Sequence, residues 1–333
     1  MGLTYEFHAD ATLPGLERLW RDATDWGEAA LDGLRPWFEA APFGKPSVVV
    51  ASDEQTGATV GQFRFMPSQV SVNGRVFSAV RPFGTIVKPE AHEAADIRSP
   101  LDSPIARMYL AGVNEFQARG VSLVYTVPDQ RWLGLFKRWV KTLAMFRLDY
   151  GTFPLWSLSL PLQSALPSDA GYSAAPLVAW DERVDRLWQK FSRLHGCTSL
   201  RDAATLQWKL SNANYTTTAI ERDGELVGLV ASRRKGDRQW LICDMLVTDD
   251  GDALRATLSA VTHVAHEKSL SVGVGEEAIH KVAVLATPLM EPTLKDLGFA
   301  RDDYDFPIAI HILDESIKAE DVAPSRWYVS AND

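Results

Sequence analysis

Two stretches of the sequence repeat one pattern, and they decide the expected fold. Residues 146–160 read FRLDYGTFPLWSLSL, and residues 299–312 read FARDDYDFPIAIHI. Each contains Asp-Tyr, then Phe-Pro, then alternating apolar residues, which is typical of a β-strand with proline near its start. The Phe-Pro pairs begin at Phe153 and Phe306, 153 positions apart. The repeat indicates two similar halves.

A second repeated pattern precedes the first one in each half. Residues 47–63 read SVVVASDEQTGATVGQF, and residues 217–230 read TTAIERDGELVGLV. Both predict a hairpin that ends in Val-Gly, and Asp-Gly between alternating apolar residues is the strongest short hairpin signal. Gly61 and Gly228 are 167 positions apart, close to the first offset. The shared order and spacing favour a tandem duplication.

The elements around these motifs follow one order in both halves. Each half has an amphipathic stretch, then the hairpin, a third strand, a helix, a further strand and a second helix. Ser103 followed by Pro104 predicts the start of the main helix of the first half. A segment rich in proline, serine and glycine separates the halves. We therefore expect an N-terminal domain over residues 1–162, a linker over 163–182 and a C-terminal domain over 183–333.

The composition of the chain excludes several classes of protein. The 333 residues carry 34 Lys and Arg against 43 Asp and Glu, a net charge of −9, which argues against nucleic-acid binding. No apolar stretch reaches the roughly 18 residues that a membrane span requires. Cys197 and Cys243 offer neither a disulfide framework nor a zinc-binding spacing, and no metal site is predicted. We expect a soluble, cytoplasmic α/β protein.

The order of elements resembles the GCN5-related N-acetyltransferase superfamily. The hairpin Asp-Gly-Glu-Leu-Val-Gly at 223–228, the helix end Leu-Lys-Asp-Leu-Gly-Phe at 294–299 and Val-Tyr-Thr-Val-Pro-Asp at 124–129 carry the resemblance. The resemblance implies two tandem domains, each a mixed sheet that splays between its fourth and fifth strands and is flanked by helices. It also implies that acyl-CoA binds in a splay and that an acyl group is transferred to an amine.

The superfamily holds the pyrophosphate of CoA with a glycine-rich turn at the start of the main helix, and both halves depart from that pattern. Leu101 and Ser103 stand at the glycine positions of the first half. Asp249, Asp250 and Asp252 in the second half would repel a diphosphate. We therefore expect any acetyl-CoA or other acyl-CoA to bind the first half. The expected contacts are Ile86 and Val87 at the end of the third strand, and Arg98, Leu101, Asp102 and Ser103.

Asp244 and Tyr125 are the candidate catalytic residues. Asp244 interrupts the apolar strand at 240–247, where burial would raise its pKa and suit a general base facing the cleft between the halves. The alternatives are an edge or solvent-facing position in a half-exposed strand, or a structural carboxylate that ties down a loop, because structural ion pairs also perturb pKa values. Tyr125 ends the fifth strand of the first half, where the superfamily often places a general acid. The alternative there is a core aromatic residue.

Two classes of function stay open from the sequence. The first is an acyl-CoA-dependent N-acyltransferase whose acceptor, bound in the cleft between the halves, is a small-molecule amine such as an amino sugar or a nucleotide-linked sugar. The second is a catalytically silent tandem fold that serves as a binding or assembly module. Asp244, Tyr125 and a basic, tryptophan-rich patch at 131–141 favour the enzyme, and the missing glycines favour the module. No nucleic acid or membrane partner is expected, and a homo-oligomer stays open.

Overall fold

The computed structural model describes residues 2–13, 15–23, 36–93, 95–142, 147–162, 171–211, 214–236, 238–248, 250–271 and 278–333. Some predicted features lie outside these residues, namely 24–35 of the first amphipathic stretch, 163–170 of the linker, Phe146 and Asp249. The chain forms two compact units. Unit 1 comprises Met1–Val70, Arg75–Gly151 and Ile308–Pro324, and unit 2 comprises Ser71–Gly74, Thr152–Pro307 and Ser325–Asp333.

Unit 1 is built on a mixed sheet. In their order across the sheet its strands are β1 (Leu3–His8), β2 (Ser47–Asp53), β3 (Thr59–Val72), β4 (Arg75–Val87), β5 (Leu123–Thr126) and the second part of β13 (Ala300–Ile312). β4 and β5 run parallel, whereas β1 with β2, β2 with β3, and β5 with β13 run antiparallel. The helices are α1 (Leu16–Ala23), α2 (Pro89–Glu93), α3 (Pro104–Ala118) and α4 (Leu133–Thr142).

The two faces of this sheet carry different helices. Val49 and Ala51 of β2 belong to a core cluster with residues of α3, whereas Val48 and Val50 pack with Leu16 of α1. Successive residues of a strand point to opposite faces, so α1 and α3 cover opposite sides of the sheet. The start of α3 matches the sequence prediction, because the Ser103 side chain accepts a hydrogen bond from the backbone N–H of Ala106, 3.3 Å away.

The strands of unit 2 are mixed in direction and follow the same arrangement. Across the sheet the strands are β7 (Tyr172–Pro176), β9 (Thr216–Arg222), β10 (Glu225–Lys235), β11 (Gln239–Val247), β12 (Lys281–Leu285) and β6 (Leu148–Ser159). β11 and β12 run parallel, as β4 and β5 do in unit 1. The short strands β8 (Cys197–Ser199) and β14 (Trp327–Tyr328) pair with each other. The helices are α5 (Glu182–Leu194), α6 (Ala203–Lys209), α7 (Gly251–Leu270) and α8 (Glu291–Asp296).

The glycines of the two Val-Gly motifs, Gly61 and Gly228, each lie in close contact with the main helix of their unit. A Cβ on Gly61 would lie 3.4 Å from the Met108 side chain of α3 and 3.2 Å from a β4 carbonyl. A Cβ on Gly228 would lie 2.3 Å from the Thr257 hydroxyl of α7. Glycine therefore allows the main helix to approach the second hairpin strand closely in each unit.

The residue ranges of the two units differ from the expected domain ranges, because each unit receives its last strand from the other half of the sequence. β6 pairs with β12, so residues 152–159 belong to unit 2. β13 pairs with β5, so residues 308–324 belong to unit 1. Tyr172–Pro176, expected in the linker, forms β7 and pairs with β9. Hydrophobic alternation identifies a strand but does not specify its partner.

No helix in the described part of the chain combines the length and the apolar character that a membrane span requires.

Candidate functional site

The parallel strands β4 and β5 of unit 1 separate soon after they pair. Their register is limited to Ala79 opposite Leu123 and Val80 opposite Val124. β4 nevertheless continues to Val87. The two strands therefore open into a wedge beyond the second pair, which is the splay that the sequence resemblance implies.

Within this wedge the alternation of β4 side chains between the two faces of the sheet shifts by one residue. Val80 packs with the α3 cluster, whereas Ile86 packs with residues of α1 on the opposite face. Residues six apart in a regular strand share a face, so the alternation shifts once between them. Gly84 lies in this interval with φ +59°, a left-handed conformation that glycine adopts without steric cost.

Tyr125 lies at the opening of the wedge. It directly follows Val124, the last β5 residue that pairs with β4, and it is buried. Its hydroxyl is 3.0 Å from Ser68 Oγ of β3. Val124 faces the α3 cluster, so Tyr125 and Ser68 lie on the opposite, α1-facing side of the sheet. The candidate acid is therefore a buried phenol at the wedge, with a polar hydroxyl partner.

The residues expected to contact pyrophosphate form one turn before α3. Ser99 Oγ accepts a hydrogen bond from the Leu101 N–H at 3.1 Å, and Asp102 Oδ2 accepts one from the Ser99 N–H at 2.9 Å. Ser103 caps α3, and Pro104 at its first position has no N–H. Several backbone donors at this helix start are therefore already used within the chain.

The other expected cofactor contacts have different surroundings. Arg98 is exposed and forms an ion pair with Asp96 at 2.6 Å. Asp102 forms an ion pair with Arg107, also at 2.6 Å, which offsets its negative charge near the helix start. Ile86 is buried in the α1 cluster, and Val87 packs at the edge of the α3 cluster. The structure thus places Leu101, Asp102 and Ser103 together and leaves Arg98 at the surface.

The corresponding helix start in unit 2 is occupied by an acidic side chain. Asp250 Oδ1 accepts the N–H of Asp252 at 3.0 Å, and Oδ2 accepts hydrogen bonds from the Tyr172 hydroxyl at 2.9 Å and from Arg222 at 3.2 Å. The hydrogen bond from Tyr172 is the main cause of the lowered pKa of Asp250. A carboxylate at the positive end of α7 takes the place where an anionic ligand would bind.

Asp244 belongs to a buried ion network in unit 2. Its Oδ1 accepts a hydrogen bond from Arg201 Nε at 2.8 Å, and Lys209 Nζ is 3.5 Å from Oδ2. Arg201 also pairs with Asp333, which lies 3.0 Å from Lys209 Nζ. Two cations and two carboxylates thus balance within this group. The surroundings of Asp244 are therefore those of a structural ion pair. The other candidate catalytic residue, Tyr125, lies in unit 1.

The network holds Asp333 and Arg201 in their charged forms. Burial alone would raise the pKa of Asp333, but the positive charges of Arg201 and Lys209 outweigh it and hold the pKa well below its usual range. Burial would lower the pKa of Arg201, and Asp244 and Asp333 raise it instead. A carboxylate bonded to a permanent guanidinium is a weak proton acceptor near neutral pH.

Sequence reasoning did not single out three polar residues on the α1-facing side of unit 1, namely Gln62, Arg64 and Ser68. Gln62 and Arg64 alternate with the core residues Phe63 and Phe65, so a polar residue at every second position was the available signal. In the described residues, no group of three or more His, Cys, Asp and Glu side chains could hold a metal ion.

The fold matches that of known acyltransferases. The chain is similar in structure to a probable N-acyltransferase from Enterococcus faecalis V583, with a TM-score of 0.64 and 12% identity over 93% of this chain and 72% of that one. A GCN5-related N-acetyltransferase from Anabaena variabilis ATCC 29413 gives 0.64 and 12% over 93% and 73%. The N-myristoyltransferase of Saccharomyces cerevisiae, solved with bound myristoyl-CoA, gives 0.54 and 11% over 92% and 79%.

No protein-family model and no curated protein matches the sequence. At these identities the likeness defines the fold. The chain has the fold of the GCN5-related N-acetyltransferases, with a mixed sheet flanked by helices in each of two units.

Proposed function

We propose that the protein is an acyl-CoA-dependent N-acyltransferase whose acyl-CoA site is the wedge between β4 and β5 of unit 1. The observation that carries the proposal is the separation of this parallel pair after Val80 and Val124, with the Tyr125 hydroxyl at its opening. The fold shared with N-acyltransferases supports the same conclusion.

The proposed reaction gives Tyr125 one task. The acceptor amine attacks the thioester carbonyl, the carbon–sulfur bond breaks, and the leaving thiolate takes up a proton while the new amide nitrogen loses one. Tyr125 donates the proton to the thiolate, and Ser68 holds the phenol in position at 3.0 Å. We assign no proton transfer to Asp244, because its carboxylate is engaged by Arg201. The acceptor is a small-molecule amine.

Unit 1 is the better candidate for acyl-CoA than unit 2. At the start of α7, Asp250 already caps the helix and bonds Tyr172 and Arg222. Beyond its pairing with β12, β11 carries Asp244, which is tied through Arg201 to Asp333. In unit 2, side chains of the protein itself therefore occupy both the helix start and the region beyond the paired strands, where acyl-CoA would bind.

A silent binding module is the second candidate, and one observation favours it. The N–H groups of Leu101 and Ala106 at the start of α3 are bonded to Ser99 and Ser103. Acyl-CoA would therefore find fewer backbone donors here than a glycine-rich turn provides.

Titration with acetyl-CoA separates the two candidates. If unit 1 binds it, acetyl-CoA at 100 times its dissociation constant should stabilise the protein by about 2.7 kcal/mol in thermal unfolding. Release of thiol with a panel of small amines should follow. Absence of both binding and thiol release would support the silent module.

Two charge reversals locate the site. Arg98→Glu in unit 1 should weaken acetyl-CoA binding several-fold, because Arg98 lies beside the expected pyrophosphate turn. Arg222→Glu, at the helix start of unit 2, is the matched control and should leave acetyl-CoA affinity unchanged. The opposite pattern would place acyl-CoA in unit 2.

A further inference from the structure

Arg64 of β3 is a buried cation that forms no direct ion pair with a described residue. Its side chain is 5% exposed and lies on the α1-facing side of the sheet in unit 1. Nε donates a hydrogen bond to Gln62 Oε1 at 3.3 Å, and the guanidinium lies 5.5 Å from the centre of the Trp20 ring. Within the described ranges no carboxylate forms an ion pair with it. Burial lowers the pKa of Arg64 to about 10, and the negative charge of Glu17 opposes this in part, so the side chain stays protonated at neutral pH.

Unit 2 shows what a fully compensated buried arginine looks like in the same protein. Arg201 is equally buried and pairs with two carboxylates, Asp244 and Asp333. It also donates to hydroxyl groups of Thr198, Ser199 and Ser330. Burial of a charge is costly unless the charge is paired. This cost is offset by two ion pairs at Arg201, whereas Arg64 has no ion pair among the described residues.

The position of the Arg64 guanidinium is fixed through its Nε. Gln62 is fully buried, and its Nε2 donates to the carbonyl of Gly84 at 3.1 Å, which orients Oε1 toward Arg64. Gly84 is the left-handed residue of β4, and the Trp20 ring is packed against it. The two terminal nitrogens of Arg64 have no hydrogen-bond acceptor among the residues described. The guanidinium is therefore held in place, and no described residue uses its terminal donors.

Arg64 shares its face of the sheet with the proposed acid. Ser68 is four residues further along β3, and its hydroxyl contacts Tyr125. Residues four apart in a strand lie on one face, roughly 13 Å apart at their Cα atoms. A molecule several bonds long could therefore reach Arg64 with one end while its amine lies near the wedge.

We propose that Arg64 binds an oxyanion of the acceptor, so that the acceptor is an amine carrying a phosphate or carboxylate group. This inference rests on the proposed N-acyltransferase function. The planar guanidinium matches both oxyanions with two parallel hydrogen bonds. An incoming anion would also supply the direct ion pair that Arg64 lacks among the described residues.

Calorimetric titration of pairs of amines tests the proposal without acyl-CoA. Glucosamine 6-phosphate is compared with glucosamine, and 4-aminobutyrate with its amide. One or both charged members should bind wild-type protein about tenfold more tightly than the neutral partner. The two pairs distinguish phosphate from carboxylate. Equal affinities within both pairs, or no measurable binding of either charged amine, would overturn the inference.

Three variants assign the preference to Arg64. Arg64→Gln should remove the preference for the charged amine, and Arg64→Lys should keep part of it. Arg18→Gln removes an exposed charge of α1 and should leave the preference intact. If Arg64→Gln failed to fold, the wild-type comparison and Arg64→Lys would still decide.

Acetyl-CoA affinity keeps this test separate from that of the proposed function. Arg64→Gln should bind acetyl-CoA as tightly as wild type. Loss of acetyl-CoA binding in this variant would place Arg64 in the acyl-CoA site and overturn the inference, whereas the proposed function would stand. Absence of acetyl-CoA binding in wild-type protein would contradict the proposed function, while the amine titrations still report on Arg64.

Discussion

The Tyr125 hydroxyl is held 3.0 Å from Ser68 Oγ inside unit 1. A phenol that donates a proton in every turnover must occupy the same position each time. The contact with Ser68 holds the Tyr125 hydroxyl in that position. Tyr125→Phe removes the hydroxyl and keeps the ring. We expect the rate of acyl transfer to fall by roughly 10²–10⁴, with a loss of stability of about 1 kcal/mol.

Ser68→Ala is the control for Tyr125→Phe, measured by thiol release and thermal unfolding. It removes the positioning contact and leaves the acid, so its rate should lie between those of wild type and Tyr125→Phe. Full activity of Tyr125→Phe would remove the phenol from the mechanism.

Asp244 has a structural task in unit 2, since it compensates the fully buried Arg201. Asp244→Asn keeps the shape but leaves two cations with one carboxylate, Asp333. We expect the free energy of unfolding to fall by about 3–5 kcal/mol. Asp303→Asn, at an exposed position of unit 2, should change it by less than about 0.5 kcal/mol. Equal denaturation midpoints for the two variants would argue against this task.

His195 makes stability depend on pH. Burial lowers the pKa of His195 from 6.5 to about 4, and the positive charge of Arg201 adds to the effect. Between these values the unfolded chain binds a proton that the folded chain does not, so stability falls as the pH drops from 6.5 to 4. The loss attributable to His195 is about 3 kcal/mol at most.

His195→Gln should flatten the dependence of unfolding free energy on pH in this range. His263→Gln, which changes an exposed histidine of the same unit, should not. The measurement is denaturant unfolding at several pH values. Identical slopes in wild type and His195→Gln would contradict the prediction.

At the scale of elements, β4 depends on one glycine. Gly84 has φ +59°, and an added Cβ would lie 3.0 Å from the Trp20 ring. Gly84→Ala should therefore cost the left-handed strain of about 1–2 kcal/mol and a further overpacking cost of about 1–3 kcal/mol. Acetyl-CoA affinity should fall as well, because the wedge changes shape.

Gly57→Ala is the matched control, since Gly57 has φ +68° and open space at its Cβ position. It should show only the strain of the left-handed backbone. Equal losses of stability in the two variants would indicate that Trp20 moves aside at no cost.

The sequence predicts most elements of the fold but not their partners. The Phe-Pro stretches are β6 and β13, and the Val-Gly hairpins are β2 with β3 and β9 with β10. A further repeat, Val-x-x-x-Pro, spans the ends of β5 and β12, at 124–128 and 284–288. Strand exchange leaves no trace in hydrophobic periodicity, because both candidate partners offer the same alternation.

The candidate site shows a similar limit. The resemblance to the superfamily, applied to the order of elements, is what predicts Tyr125 and the turn at 101–103. Asp244 and Arg64 look alike in sequence, each a charge inside an apolar strand. Asp244 is paired with Arg201, whereas Arg64 forms no ion pair in the described part of the chain. Only the tertiary neighbours decide between these outcomes, and they come from distant parts of the chain.

At the scale of the molecule, neither half of the sequence contains a complete unit. A fragment of residues 1–162 lacks β13, the partner of β5, and also His311, which bonds the Tyr109 hydroxyl at 2.9 Å. It further lacks Asp314, which bonds Ser122 at 3.1 Å. A fragment of residues 163–333 lacks β6, the partner of β12.

We expect each fragment, produced alone, to lack a cooperative thermal transition by circular dichroism. The matched comparison is the full chain cut by a protease between residues 162 and 171 after folding, which should keep its transition. Independent, cooperative folding of either fragment would show that the last strand is dispensable.

The origin of β13 also sets an order of events on the ribosome. The 156 residues from Thr152 to Pro307 are synthesised after the main part of unit 1 and before its last strand. At about 5–20 residues per second, this takes on the order of ten to thirty seconds. During that time the β5 edge of the nascent chain has no strand of its own to pair with, and bare edges recruit other chains. Slow translation of this stretch should therefore lower the yield of native protein, and a chaperone that covers strand edges should restore it.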